Sequence, residues 1–315
     1  MQTVSRVLAH GRTELAKVIV GQEDLVTQCL VTILCGGHAL LEGVPGIAKT
    51  LVIKAFARLF ALDFKRVQCT SDLMPADIMG SNVLNLSTST FSLHRGPLFT
   101  DLLLADEINR MPPRTQAALL ESMEERQISI DGTTYRLSEF FTVFATQNPI
   151  EFEGTYPLPE AQLDRFLMKI NVTYPDADQE VTILQNHHQG FDPHDLSAAH
   201  LAELTSGVLA EARAEIKSVK VEPALFRYIV EIIRRTRDWP SFSIGASPRA
   251  AISLMNVAKG FAALEERDYM IPDDVKAAAL PVLRHRVILR PEAELEGLDN
   301  DQILNEVVAS VEVPK

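Results

Sequence analysis

The stretch Gly43-Val44-Pro45-Gly46-Ile47-Ala48-Lys49-Thr50 constrains this chain more than any other. It lies between a short apolar run, His38-Ala39-Leu40-Leu41, and a segment of helical spacing that begins at Leu51. A strand, a tight glycine-bearing loop and a helix must therefore follow one another directly. Such a unit belongs to a parallel sheet covered by helices, with its loop at the sheet's C-terminal edge. The loop N–H groups and the positive end of the helix would face an anion there. Closing on Lys49-Thr50, the loop is suited to a nucleoside triphosphate. Lys49 would reach the β- and γ-phosphates, and the Thr50 hydroxyl would take a place on Mg²⁺. Ala48 stands where a second glycine is usual, and alanine is expected to keep a helical backbone rather than positive φ. The alternative is a plain strand–turn–helix link, which the Lys-Thr pair at this offset disfavours.

Further strand-like runs follow at Phe64–Thr70, Leu102–Ala105, Phe140–Ala145 and Phe166–Val172, with helical patterns at Leu51–Phe60 and Arg114–Arg126. This alternation predicts an α/β fold with a parallel sheet flanked by helices. Two insertions interrupt it. Gly80–Phe99 carries two short alternating runs around a polar turn. Gln127–Phe140 contains Asp131-Gly132, a strong hairpin signal.

Before the first strand, Ala9–Val20 and Leu25–Leu34 read as helices. Between them Val18-Ile19-Val20-Gly21-Gln22 makes a small apolar turn. It could cover a flat ring, and it reads equally well as a helix end capped by Gly21. Gln185–His194 is polar and predicts a linker, with His187-His188 solvated. Beyond it, Leu201–Leu209, Pro223–Thr236, Pro248–Leu264 and Pro272–Arg286 carry helical stripes, and an acidic tail after Pro291 ends in a short helix near Ile303–Val308.

At 315 residues the chain is long enough for two domains. With 46% hydrophobic and 23% charged residues, it has the composition of a soluble globular protein. No run reaches the ~18 apolar residues of a membrane span, and the N-terminus lacks a signal-peptide pattern. Cys29, Cys35 and Cys69 read as reduced core thiols, which predicts a cytoplasmic location. A net charge of −12 argues against nucleic acid as a bulk partner.

The chemistry gathers at strand ends. Leu102-Leu103-Leu104-Ala105 runs directly into Asp106-Glu107. Carboxylates at the end of a buried strand sit on the edge where the phosphate loop opens. Asp106 would hold Mg²⁺ through water, and Glu107 would polarise the attacking water. The next strand ends in Thr146-Gln147-Asn148-Pro149. Asn148 would contact that water or the γ-phosphate, or else serve an Asn-Pro turn. Ser247 fits a helix N-cap and Pro248 the first helical position. Arg249 then opposes the helix dipole, a cost of roughly 0.3–1 kcal/mol that a phosphate would offset; a solvated arginine is the alternative. Arg165, after Asp164, either forms a surface pair or acts in trans on a neighbour's phosphate.

Together these residues resemble an AAA+ ATPase, and specifically the MoxR family. The resemblance covers nearly the whole chain. It rests on Val18–Gln22, Gly43–Thr50, Leu104–Arg110, Arg114–Met123, Ala145–Pro149, Leu158–Phe166 and Gly245–Ala250. It implies a nucleotide-binding α/β domain over 1–185, with hairpin inserts at about 80–99 and 127–140. A smaller helical lid at 195–290 and an acidic tail at 291–315 complete it. It also implies roles: Gly43, Val44, Pro45, Gly46, Ile47, Ala48, Lys49, Thr50 and Leu51 at the Walker A loop, with Val20 and Gly21 beside the adenine. Asp106 and Glu107 match Walker B, Asn148 sensor 1, Arg165 the arginine finger and Arg249 sensor 2. ATP and Mg²⁺ would be the ligands, and Ala48 is tolerated in loops of this family. A hexameric homo-oligomer, a protein client and a partner with a von Willebrand factor A domain are further implications. Readings on the same fold are a chelatase-type subunit or a nucleic-acid motor, which the net charge disfavours. A nucleotide-gated binding module with little turnover is a third, which Glu107 beside Asp106 disfavours.

Overall fold

The computed structural model describes residues 1–44, 48–87, 89–148, 154–193, 195–197, 199–205 and 207–314. The chain opens with α1 (Gln2–Leu15) and α2 (Glu23–Cys35) before β1 (Ala39–Glu42) and α3 (Lys49–Leu59). Next come β2 (Phe64–Gln68), the short α4 (Pro75–Met79), the hairpin β3 (Gly80–Asn85) and β4 (Thr90–Arg95), and β5 (Leu102–Asp106). After α5 (Pro113–Glu125) a second hairpin, β6 (Gln127–Ile130) and β7 (Thr133–Arg136), leads to β8 (Thr142–Gln147), α6 (Glu160–Leu163) and β9 (Met168–Asn171).

The main sheet has the order β2-β5-β8-β1-β9, and every pair in it is parallel. Its central strands β1, β5 and β8 are buried almost throughout because helices cover both faces, whereas the edge strands β2 and β9 carry exposed polar residues. Leu41, Leu102, Leu104 and Phe144 pack with Val52, Ile53 and Phe56 of α3. The alternate residues Leu40, Leu103 and Val143 pack with Leu119 and Leu120 of α5. So α3 and α5 lie on opposite faces. Parallel register brings the C-terminal ends of β1, β5 and β8 to one edge. Both inserts are antiparallel hairpins. In the second, Asp131 and Gly132 take φ of 49° and 79°, the left-handed pair that a two-residue hairpin turn requires.

The second half is helical: α7 (Ala177–His188), α8 (Val208–Lys217), α9 (Pro223–Asp238), α10 (Pro248–Leu264), α11 (Pro272–Leu283), α12 (Pro291–Leu295) and α13 (Asn300–Ser310). A two-stranded ladder joins β10 (Phe242–Ile244) to β11 (Ile288–Leu289). The apolar stripes of α8 to α11 share one cluster with α1 and α2. Among the described residues, Cys29, Cys35 and Cys69 are free thiols, the first and last buried.

Several boundaries differ from expectation, and each has a tertiary cause. The first helix spans Gln2–Leu15, not Ala9–Val20. Its first N–H groups, of Thr3 and Val4, are satisfied by the distant Glu215 carboxylate at 3.0 Å each. Val18 and Ile19 leave the helix yet stay buried. The segment 201–205 is not helical. The Ala202 N–H donates to Glu14 at 2.7 Å and the Leu204 N–H to the Leu59 carbonyl at 2.7 Å, so a helical ladder cannot use them. Gln185–His188 belongs to α7 rather than to a linker. The capping box of Asp176 and Gln179 starts that helix, and its Ile183 lines a cavity. His194 lies outside the described residues. The helix at Pro272 stops at Leu283, short of Arg286.

Candidate functional site

The loop after β1 meets the end of β8, where the Gly43 N–H donates to the Gln147 carbonyl at 3.3 Å. Pro45, Gly46 and Ile47 lie outside the described residues, as does Pro149. Ala48 takes φ of 62°, contrary to the expectation of a helical backbone. This left-handed geometry costs an L-residue roughly 1–2 kcal/mol. It turns the chain so that α3 starts at once with Lys49 and Thr50. Ala48 has no side chain to cap α3, and the N–H groups of a helix's first turn are suited to an anion. Lys49 Nζ donates to the Gly43 carbonyl at 2.6 Å. Burial pulls its pKa below the usual lysine value, against the attraction of Asp106, Glu107 and Glu42.

On the neighbouring strands, Thr146 ties the acidic pair together. Its hydroxyl donates to Asp106 Oδ1 at 2.5 Å and accepts the Glu107 N–H at 2.8 Å. One proton on that hydroxyl fixes both directions. Asp106 Oδ2 accepts from Arg66 Nη2 at 2.6 Å, and the Glu107 carboxylate meets Arg110 at 3.0 Å. Glu107 itself is left-handed, φ 60°. Asn148 is buried where β8 ends. Sequence reading missed Thr146, Arg66 and Arg110. The Thr146 position two residues before Asn148 was the available signal.

The donor set suits Mg²⁺. A carboxylate that already seats a cation and the hydroxyl of Thr50 are hard oxygen donors. Among the described residues no cluster of three His, Cys, Asp or Glu side chains could hold a metal alone.

An apolar cavity of about 230 Å³ opens beside α3, walled by Val18, Val20, Ala48, Leu51, Pro175 and Ile183. Val20 and Leu51 are thus brought together. Gly21 is not among its walls; at φ 65° it lets Gln179 approach so closely that a Cβ would stand 2.3 Å from the amide oxygen. His187 and Phe191 also line the cavity, although their segment reads as a solvated linker.

Arg165 and Arg249 lie elsewhere. Arg165 Nη1 meets Glu124 at 2.8 Å and also donates to the Leu120 carbonyl at 2.8 Å. Arg249 Nη2 meets the other Glu124 oxygen at 2.7 Å. Glu124 belongs to α5, on the sheet face opposite α3. The adjacent residues are also linked: Asp164 accepts from Ser247 Oγ at 3.0 Å and from the buried Arg286 Nε at 2.7 Å. Ser247 caps α10 as expected.

A sequence model of the ATPase family associated with various cellular activities (AAA) matches residues 38–168, and one of the AAA lid domain matches residues 234–307. The chain is 43% identical over 313 residues to the uncharacterized protein YeaC of Bacillus subtilis, covering 98% of this chain and 95% of that one. It is 42% identical over 313 residues to Chaperone MoxR1 of Mycobacterium tuberculosis, covering 96% and 81%. The crystal structure of a suspected ATPase from Cytophaga hutchinsonii superposes with a TM-score of 0.90 at 41% identity, covering 99% of this chain and 96% of that one.

Proposed function

Because this chain belongs to the MoxR family of AAA+ ATPases, we propose that it hydrolyses Mg²⁺-bound ATP and couples the reaction to remodelling of a protein client. The observation that supports the reading is that Lys49, held to the Gly43 carbonyl after β1, lies within electrostatic reach of Asp106 and Glu107 at the end of β5, which Thr146 of β8 ties to each other. Lys49 would bind the β- and γ-phosphates. Thr50 and Asp106 would hold Mg²⁺, which would neutralise phosphate charge. Glu107 would take the proton of the water that attacks the γ-phosphorus as the β–γ bridging bond breaks. Asn148 would orient that water, and Val20, Leu51 and Ile183 would receive the adenine ring.

Arg165 and Arg249 would complete a neighbouring copy's site. Their gathering on α5, across the sheet from α3, supports action in trans for both. A six-membered ring and a partner with a von Willebrand factor A domain rest on the family resemblance. The chaperone role draws on the relative named Chaperone MoxR1. We infer a cytoplasmic location from the free thiols. Among the described residues no helix is long and apolar enough to cross a membrane.

Glu107→Gln tests the catalytic assignment. Phosphate release should fall by about 10²–10⁴ while ATP affinity is kept. Unchanged release would overturn it.

A further inference from the structure

The chain carries a net charge of −12, yet one cavity of about 610 Å³ has Arg126, Arg213, Lys217 and Lys259 among its walls, with Glu139 as the one acid among the described residues that line it. It lies where the ends of α5 and α2 meet α8 and α10. Arg126 is the left-handed C-cap of α5; Arg213 and Lys217 belong to α8, and Lys259 to α10.

The two guanidiniums abut. Both donate to the Glu139 carbonyl at 2.9 Å. A Cβ on Gly36 would stand 3.5 Å from Arg213 Cζ and 3.6 Å from Arg126 Nη2. Their remaining bonds go to the carbonyls of Gly36 and Ile33 at the C-terminal end of α2. Among the described residues, all hydrogen bonds of both groups thus end on main-chain oxygens. The negative end of α2 anchors the cations but does not neutralise them. Arg213 also lies over the Phe140 ring, 5.3 Å from its centroid, which holds its plane while leaving N–H donors free. Burial and the neighbouring Arg126 pull the Arg213 pKa down to about 10. Two fixed, partly desolvated forks with unused donors are suited to bidentate recognition of oxyanions. The cavity is larger than one phosphate group needs, and its apolar walls, Phe140 and Ile216, accept an organic body.

We propose that this pocket binds a small organic polyanion, bearing phosphates or carboxylates, at a site separate from the phosphate loop. Such a ligand would tie α5 to α8 and α10 and so link the sheet to the helical half.

The test is calorimetric titration at low salt in the Lys49→Ala background, which weakens anion binding at the phosphate loop. Pyrophosphate is one probe and citrate the other; whichever binds more tightly identifies phosphate or carboxylate as the ligand chemistry. Lys217→Glu with Lys259→Glu should weaken binding by about tenfold or more, and added salt should weaken it further. Lys217→Glu alone, at an exposed position, should act in the same direction and covers the case in which the double variant is poorly folded. The proposal fails if neither probe binds, or if binding is equal in the parent and the variants.

Discussion

Arg165 and Arg249 hold opposite oxygens of one carboxylate, Glu124, at 2.8 and 2.7 Å. The Glu124 side chain is about one-third exposed and Arg249 half-exposed, with relative exposures of 34% and 50%. Solvent-screened pairs of this kind contribute only about 0.2–1 kcal/mol each. A triphosphate carries far more charge than one carboxylate and would displace it. The two arginines are therefore expected to leave Glu124 together.

Subunit mixing tests whether both act in trans. Arg165→Ala and Arg249→Ala should each lower turnover by about 10³-fold. Either variant mixed with Glu107→Gln should regain part of the activity, because some boundaries then pair an intact Glu107 with both intact arginines. Arg165→Ala mixed with Arg249→Ala should regain nothing. The opposite pattern for Arg249 would place it in its own subunit's site.

The apolar cavity beside α3 gives a binding prediction. Ile183→Asp puts a carboxylate into the wall shared with Val20, Leu51 and Pro175, where an adenine ring in the cavity would strip it of water. The Kd for ATP should rise about tenfold or more, a change of about 1.4 kcal/mol. Val181→Asp, on the exposed side of the same helix, should leave it unchanged. Equal Kd values for Ile183→Asp and the parent in a fluorescence titration would exclude the ring from this cavity.

Ala48 makes a stability prediction. Glycine adopts φ of 62° without the steric cost of a Cβ, so Ala48→Gly should gain roughly 0.5–1 kcal/mol after its larger loss of chain entropy. Ala48→Val, β-branched, should lose more than about 1 kcal/mol. Thermal melts of the three proteins without ligand would show this order, and the reverse order would contradict the left-handed loop.

His38 sets an acid limit. Its Nδ1 accepts the Val143 N–H at 2.9 Å, and Nε2 faces the Met123 carbonyl at 3.1 Å, an arrangement that fits the neutral ring. Burial, with Arg126 nearby, lowers its pKa from 6.5 to about 3. The unfolded chain therefore binds the proton first. Stability contributed by neutral His38 is complete above pH 6.5 and is lost as pH falls from there toward 3. The loss approaches about 1.4 kcal/mol per pH unit. His38→Gln should be less stable at about pH 7.5 yet lose stability less steeply between about pH 6.5 and 5 in urea titrations. Parallel slopes would refute this.

The sheet was legible because its central strands are largely apolar and end in turn or acidic residues, as at Leu102–Glu107. The phosphate loop and the acidic pair are local patterns, and short spacing suffices to read them. Other features depend on contacts between distant segments. The start of α1 depends on Glu215, and the missing helix at Leu201 depends on Glu14 and Leu59. The clasp of Arg165, Glu124 and Arg249 joins three elements that no spacing rule connects. α7 is a different case: Asp176 and Gln179 spelled a capping box, but the polar run behind them outweighed it. Ala48 was misread because steric preference was applied without the tight turn that overrides it.

The opposite placement of α3 and α5 has a consequence for symmetry. A copy that offers its phosphate loop on one flank and its paired arginines on the other cannot satisfy both flanks about a two-fold axis. Contacts of this kind are heterologous, so each added copy leaves one flank open, and the rotation between copies decides whether the series closes or continues as a helix. Every closed assembly built this way has a direction of travel around it, fixed by which face of the sheet carries Glu124.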